Sequence, residues 1–207
     1  MTDIERAAIK KRLIIFTILT FGIGWIIFLS IPLSGQSYGS GMSVAILAAA
    51  MFAPALSSVL TRLMTKEGFG NMYLRPHFKG HMRDYLFLYF GPTVLLLLSG
   101  AVYFLIFPGS FDPKLTALRG MLAASGKQGD IAPGVLAIQA LIFAAIGPVV
   151  NIIPTMGEEL GWRGYLLPKL RMFFSDRTSL LLTGAIWGIW HLPVIVMGHN
   201  YGTGYWG

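Results

Sequence analysis

The chain has 207 residues, of which 55% are hydrophobic and only 12% charged, and its mean hydropathy is +0.66. A soluble domain carries nearer about 25% charged residues, so the composition excludes an ordinary soluble protein and points to an all-α, polytopic helical membrane protein. The net charge of +7 is no nucleic-acid signature, because the basic residues lie between apolar runs and form no cluster, and the absence of cysteine removes disulfides, thiolate metal sites and a thiol nucleophile together.

In chain order, the first element is MTDIERAAIKKRLIIFTILTFGIGWIIFLSIPL. It runs basic and then apolar as a secretory signal does, but the apolar run is too long and no A-x-A site follows it, so it reads as an uncleaved transmembrane helix. Runs long enough to cross a bilayer as helix, about 20 residues, fall at 13–33, 41–63, 85–107, 135–157 (extensible to 168) and 178–198, predicting five transmembrane helices. His77 and His81 have the spacing of a zinc pair, but Phe78 stands where H-E-x-x-H needs glutamate, and Pro76 and Gly80 oppose a helix. A basic loop is the better reading there. In the connection 108–134, Leu115, Leu118, Met121 and Leu122 recur at helical spacing beside Lys114 and Arg119, predicting an interfacial helix near 114–123. SGKQ at 125–128 lacks the spacing and the Ser or Thr of a phosphate loop, and no G-x-S-x-G supports a serine hydrolase. Gly184 and Gly188 form a G-x-x-x-G, read as a close-packing face of the fifth span. Of the sixteen Lys and Arg, thirteen fall on the N-terminal side of these spans and three on the other, which puts the N-terminus in the cytoplasm. Residues 1–207 read as a single transmembrane domain with no repeat, and the halt at GHNYGTGYWG just after the fifth span suggests a chain incomplete at its C-terminus.

Chemistry concentrates in GEELGWRG, residues 157–164, directly after an apolar span. A charge at the bilayer centre costs about 2.5–3.5 kcal/mol on insertion scales, so adjacent carboxylates there need a reason. Glu159 and Arg163 are i and i+4 on one helix face with the carboxylate N-terminal, the better orientation for an ion pair. Glu158 is rotated about 100° from Glu159 and lacks that partner. His191 lies in the fifth span, with Trp187 one turn before it. Counting 1.5 Å per residue from the shared connection, Glu158 lies about 15 Å from Pro168 and His191 about 20 Å from Thr178, so the two reach similar depth in adjacent antiparallel helices. A carboxylate and an imidazole converging in a cavity can hold a water and take its proton, or share a metal ion. Pro154 would bend the helix and help to open that cavity. Taken singly, the three charges also fit a helix end among headgroups and His191 a packing residue. Their convergence favours chemistry.

At these residues the sequence resembles the CAAX-prenyl-protease and bacteriocin-processing (CPBP, or Abi) intramembrane proteases. The family pattern is E-E-x-x-x-R on one helix, an aromatic-x-x-x-His on the next, and a His-x-x-x-Asn/Asp on a later one. Glu158, Glu159 and Arg163 match the first, Trp187 and His191 the second. The third is not matched, since His199 and Asn200 are adjacent. The motif-bearing core is 134–198. The resemblance implies an intramembrane endopeptidase cutting a peptide bond near the cytoplasmic face, with Glu158 activating the water, His191 helping to hold that water or a metal, and Glu159 and Arg163 completing the catalytic set. Glu158 and His191 would be the metal ligands if the enzyme uses zinc; a metal-free glutamate mechanism stays open beside it. The implied partners are a peptide or protein substrate, lipid-modified where the family's eukaryotic members are representative, and the lipid bilayer, with no nucleic acid. The implied location is a multi-pass protein of a bacterial plasma membrane. The competing reading is a non-catalytic immunity or scaffold protein that keeps the protease fold, and a weaker third is a transporter with Glu158 and His191 as proton relay.

Overall fold

The computed structural model describes residues 1–72, 74–124, 132–199 and 202. Lys127, the SGKQ stretch and Asn200 lie outside the described residues. The chain is 76% helical with no strand among the described residues. Its helices are α1 (Asp3–Leu33), α2 (Gly41–Ala50), α3 (Ala53–Met64), α4 (Met82–Ile106), α5 (Thr116–Ala124), α6 (Pro133–Gly161), α7 (Leu167–Leu170), α8 (Asp176–Trp190) and α9 (Leu192–Val196). Four helical stretches are long and apolar enough to cross a membrane: Asp3–Leu33, Gly41–Met64, Met82–Ile106 and Gly134–Leu170. These correspond to the first four predicted spans. The fifth, 178–198, is helical too but divides at His191 into α8 and α9. Pro193 accounts for the break, because it has no N–H for the Ile189 carbonyl and its ring crowds that turn.

Local chemistry sets the ends. Thr2 and Glu5 form a reciprocal capping box that starts α1. Ser175 caps α8 by accepting from the Thr178 N–H at 3.3 Å. Pro54 lies in the first turn of α3, where a missing N–H costs nothing, and it divides the second span at Met51–Phe52. α3 ends in a Schellman turn, with Lys66 N–H on the Leu63 carbonyl and Glu67 N–H on the Arg62 carbonyl. The residue in the left-handed position is Lys66, at φ +50°. A non-glycine there costs roughly 1–2 kcal/mol, and the turn sends Glu67 back alongside Arg62. Between α6 and α7, Trp162–Leu166 forms one π-helical turn. Pro168 cannot donate to the Gly164 carbonyl, and widening the turn before it avoids that clash.

The chain divides into two compact units, Met1–Leu74 with Ile152–Gly207, and Arg75–Asn151. In the second, α4 buries none of its residues, as suits apolar side chains that lipid or other helices can cover. The Tyr89 hydroxyl donates to the Ala145 carbonyl, tying α4 to α6. Asp112 accepts from the Lys114 and Thr116 N–H groups at 2.9 and 2.6 Å and so caps α5, which stands where the interfacial helix is expected.

The first unit holds the core. Phe16 and Phe28 of α1 meet Trp162 and Tyr165 of the π turn and Trp190 of α8, all at most 3% exposed. Ring centroids lie 6.0 Å apart for Phe16–Trp162, 5.7 Å for Trp162–Trp190 and 4.8 Å for Phe28–Trp190. Two indoles lock α8 to α1: Trp190 Nε1 donates to the Thr20 carbonyl and Trp25 Nε1 donates to the Trp190 carbonyl, both at 3.0 Å. The second bond satisfies a carbonyl at the helix end. Gly24 makes room, since a Cβ there would run into the Trp190 ring.

Candidate active site

Gly157 and Gly161 bring the end of α6 against the turn between α2 and α3. A Cβ at Gly157 would lie 2.7 Å from the Met51 carbonyl oxygen, and one at Gly161 2.6 Å from the Pro54 carbonyl carbon. Only a bare backbone fits at that distance. This approach sets the azimuth of the two carboxylates between the glycines. The expected close-packing pair, Gly184 and Gly188, does not serve so: a Cβ on either would meet nothing within 4 Å. The close face lies on α6 because packing depends on the neighbour's backbone, which the G-x-x-x-G spacing does not report.

Glu158 points inward and is 7% exposed. Its Oε2 accepts from Trp187 Nε1 at 2.7 Å. A charge-assisted bond of this length holds the carboxylate in one rotamer and leaves Oε1 for a further partner. Glu158 and His191 line one cavity of about 180 Å³ with the apolar Phe28, Leu47 and Met51. That is room for several waters at about 30 Å³ each. His191 Nδ1 lies 3.0 Å from the Trp187 carbonyl. A carbonyl only accepts, so Nδ1 carries the proton and Nε2 of the neutral ring keeps its lone pair. Trp187 therefore touches both groups, the carboxylate through its indole and the imidazole through its backbone.

Glu159 and Arg163 lie apart from this cavity and pair with each other. The arginine side chain is 57% exposed and the glutamate 35%, so the pair stands on the outer face of the helix. The tandem carboxylates thus have separate surroundings. His77 and His81 join no metal site among the described residues; His81 Nδ1 lies 3.2 Å from Asp84 Oδ2, both exposed.

The sequence motifs assign no role to one further residue of this cavity. His199 lines the same cavity, its ring stacked on that of His191 with centroids 6.4 Å apart and planes within 10°, and its Nδ1 bonded to the Tyr38 hydroxyl. Burial, then the adjacent His191, pushes its pKa below the usual histidine value. Its spacing matches no motif, yet a signal was present in Gly198. That glycine sits at φ +102° and closes a Schellman turn after α9, with His199 N–H on the Val194 carbonyl, folding the next side chain back toward α8.

Zinc in a catalytic site takes three protein ligands and one water. No group of three or more His, Cys, Asp or Glu able to hold a metal gathers among the described residues. Glu158 and His191 supply two donors, and His199 of the same cavity, whose Nδ1 is bonded to the Tyr38 hydroxyl, does not gather with them into such a group.

Comparison with known proteins falls on this region. Residues 133–206 match the family model described as "Type II CAAX prenyl endopeptidase Rce1-like". A stretch of 44 residues is 41% identical to the "CAAX prenyl protease 2" of Methanococcus maripaludis, covering 21% of this chain and 16% of that protein. No solved structure matches the chain significantly.

Proposed function

We propose, from the premise that residues 133–206 mark the chain as a CPBP/CAAX protease family member, that it forms the catalytic part of an intramembrane endopeptidase working by a glutamate-activated water. The observation that carries this reading is the shared cavity of Glu158 and His191, bridged by Trp187.

In this mechanism a water in the cavity gives a proton to Glu158 Oε1 while Trp187 Nε1–H steadies Oε2. His191 Nε2 accepts a hydrogen bond from the water's other proton and fixes its approach. The water oxygen bonds to the carbonyl carbon of the scissile peptide, the C–N bond breaks, and the proton held on Glu158 passes to the departing amine. The products are one carboxylic acid and one amine. Phe28, Leu47 and Met51 keep the cavity wall apolar, which strengthens the electrostatics inside it. Glu159 and Arg163 steady the outer face of the helix. A zinc ion, where a third ligand from outside the described residues completed its site, would acidify the same water; no step here depends on it.

The substrate in this reading is a peptide or protein segment presented from the bilayer near the cytoplasmic face. A lipid-modified C-terminal peptide is the first probe, on the strength of the matched family's printed description. The N-terminus lies in the cytoplasm, as the distribution of Lys and Arg supports. The test is cleavage of a prenylated fluorogenic peptide by the full-length protein in liposomes. Glu158→Gln and His191→Ala are expected to lose activity by about 10²–10⁴-fold, the usual contribution of a positioned acid–base group, with helicity and melting temperature retained. Turnover unchanged in both variants would contradict the assignment.

A further inference from the structure

Away from Glu158, the first unit contains a second polar cavity of about 250 Å³. Its walls come from α1 (Ile9, Arg12), the end of α3 and the turn after it (Arg62, Glu67), and the α7 region (Lys169, Met172). Three of these groups are cations and one is a carboxylate. Lys169 Nζ lies 2.7 Å from Glu67 Oε1, Arg12 Nε 3.5 Å from Oε2 and Arg62 4.0 Å from Oε1. The Tyr165 hydroxyl donates to Oε2 at 2.8 Å. One carboxylate thus faces three positive groups, and the pocket keeps a surplus of two positive charges.

That surplus is held in place and partly out of water. Arg62 is 3% exposed and Lys169 8%. Arg62 donates to the Gly68 and Asn71 carbonyls at 2.9 and 3.0 Å, while its Nε is buried with no partner. Lys169 and Arg62 also share one Tyr165 ring, 3.6 and 5.0 Å from its centroid. Bringing like charges together at low exposure is costly unless an anion joins them. An ion network serving only to tie helices together would be stronger with a second carboxylate, and none lines the cavity.

The pocket lies at the end of α1 that carries Lys10, Lys11 and Arg12, the end placed at the cytoplasmic surface by the positive-inside distribution. Ile9 and Met172 add an apolar wall beside the cations. Basic pockets between membrane helices at that surface are built to take phosphate-bearing headgroups. We propose that this cavity binds the phosphate of an anionic phospholipid, with Arg12 and Arg62 on its oxygens and Lys169 neutralising it across Glu67. The site needs nothing from Glu158 or His191 and is independent of the protease reading.

The experiment is thermal unfolding of the full-length protein in a neutral detergent, titrated separately with phosphatidylglycerol, phosphatidylcholine and inorganic phosphate. Phosphatidylglycerol is expected to raise the melting temperature saturably, and phosphatidylcholine is not. Arg12→Gln, which leaves the buried Arg62 in place, is expected to weaken the phosphatidylglycerol response at least tenfold in midpoint concentration. Lys11→Gln, an equal loss of charge outside the cavity, is expected to leave it intact. Met172→Trp fills the half-exposed rim without touching an ionic group and is expected to abolish the response in a folded protein. Equal responses in Arg12→Gln and Lys11→Gln, or no preference for phosphatidylglycerol over phosphatidylcholine, would overturn the site. Saturation by inorganic phosphate with an effect equal to the lipid's would overturn the lipid as the source.

Discussion

Trp187 is the side chain through which the candidate site is organised, since its indole holds Glu158 at 2.7 Å and its carbonyl holds His191 at 3.0 Å. Trp187→Phe removes the Nε1 donor and trims the indole to a single six-membered ring. A hydrogen bond to a charged group is worth about 1.5–3 kcal/mol, so turnover is expected to fall between about tenfold and a hundredfold while KM stays near its original value. A loss as large as that of Glu158→Gln would contradict a purely orienting role. Glu67 supports a second expectation at this scale. Burial raises its pKa, but donation from Lys169 and Tyr165 and the charges of Lys169 and Arg12 outweigh that and hold it below the ordinary glutamate value. A carboxyl lowered in the folded state stabilises above its unfolded pKa, about 4.3, and that contribution disappears as the pH falls through the folded value. The melting temperature in detergent is therefore expected to be steady from neutral pH to about 5 and to drop below about 4.3. Glu67→Gln should lower the neutral-pH melting temperature and shrink that acid drop; an unchanged acid profile would show that other carboxylates carry it.

At the level of the helices, the apolar runs announced α1, α2 with α3, α4 and α6 directly, because a bilayer-length stretch with few charges admits little besides a helix. The break at His191 follows from Pro193 and was open to reading in the sequence, yet the run 178–198 looks continuous by hydropathy alone. The π turn at Trp162–Leu166 was less legible, since Pro168 demands a departure from regular helix but does not choose between a kink and a widened turn. The choice of glycine face was not legible at all. Gly157 with Gly161 and Gly184 with Gly188 have the same spacing, and only the first pair lies against a neighbouring backbone. Gly161→Ala is accordingly expected to destabilise by about 1–3 kcal/mol through overpacking. Gly184→Ala should be neutral or stabilising by up to about 1 kcal/mol from helix propensity. Equal effects in thermal unfolding would place the packing face wrongly.

Across the molecule, composition alone conveyed the class, and the order of charges along the chain conveyed an orientation that side-selective labelling checks well. The native chain has no cysteine, so single substitutions report without background. An impermeant maleimide applied to intact cells is expected to label Ser37→Cys and to reach Thr2→Cys only after permeabilisation; the reverse pattern would invert the topology. That Glu158 and His191 reach one cavity was legible because helical rise converts sequence distance into depth. His199 was legible only through Gly198, since the turn that brings it back carries no periodicity. The matched relative shares only a segment with this chain, 16% of its own length, so the activity must be measured and not inherited. The central claim is that the two adjacent glutamates have different tasks, and parallel kinetics of Glu158→Gln and Glu159→Gln in the full-length protein test it most directly. The expected result is a loss of at least about a hundredfold in kcat for Glu158→Gln and under about tenfold for Glu159→Gln, whose partner is a half-exposed arginine. Equal losses, or a larger loss from Glu159→Gln, would contradict it.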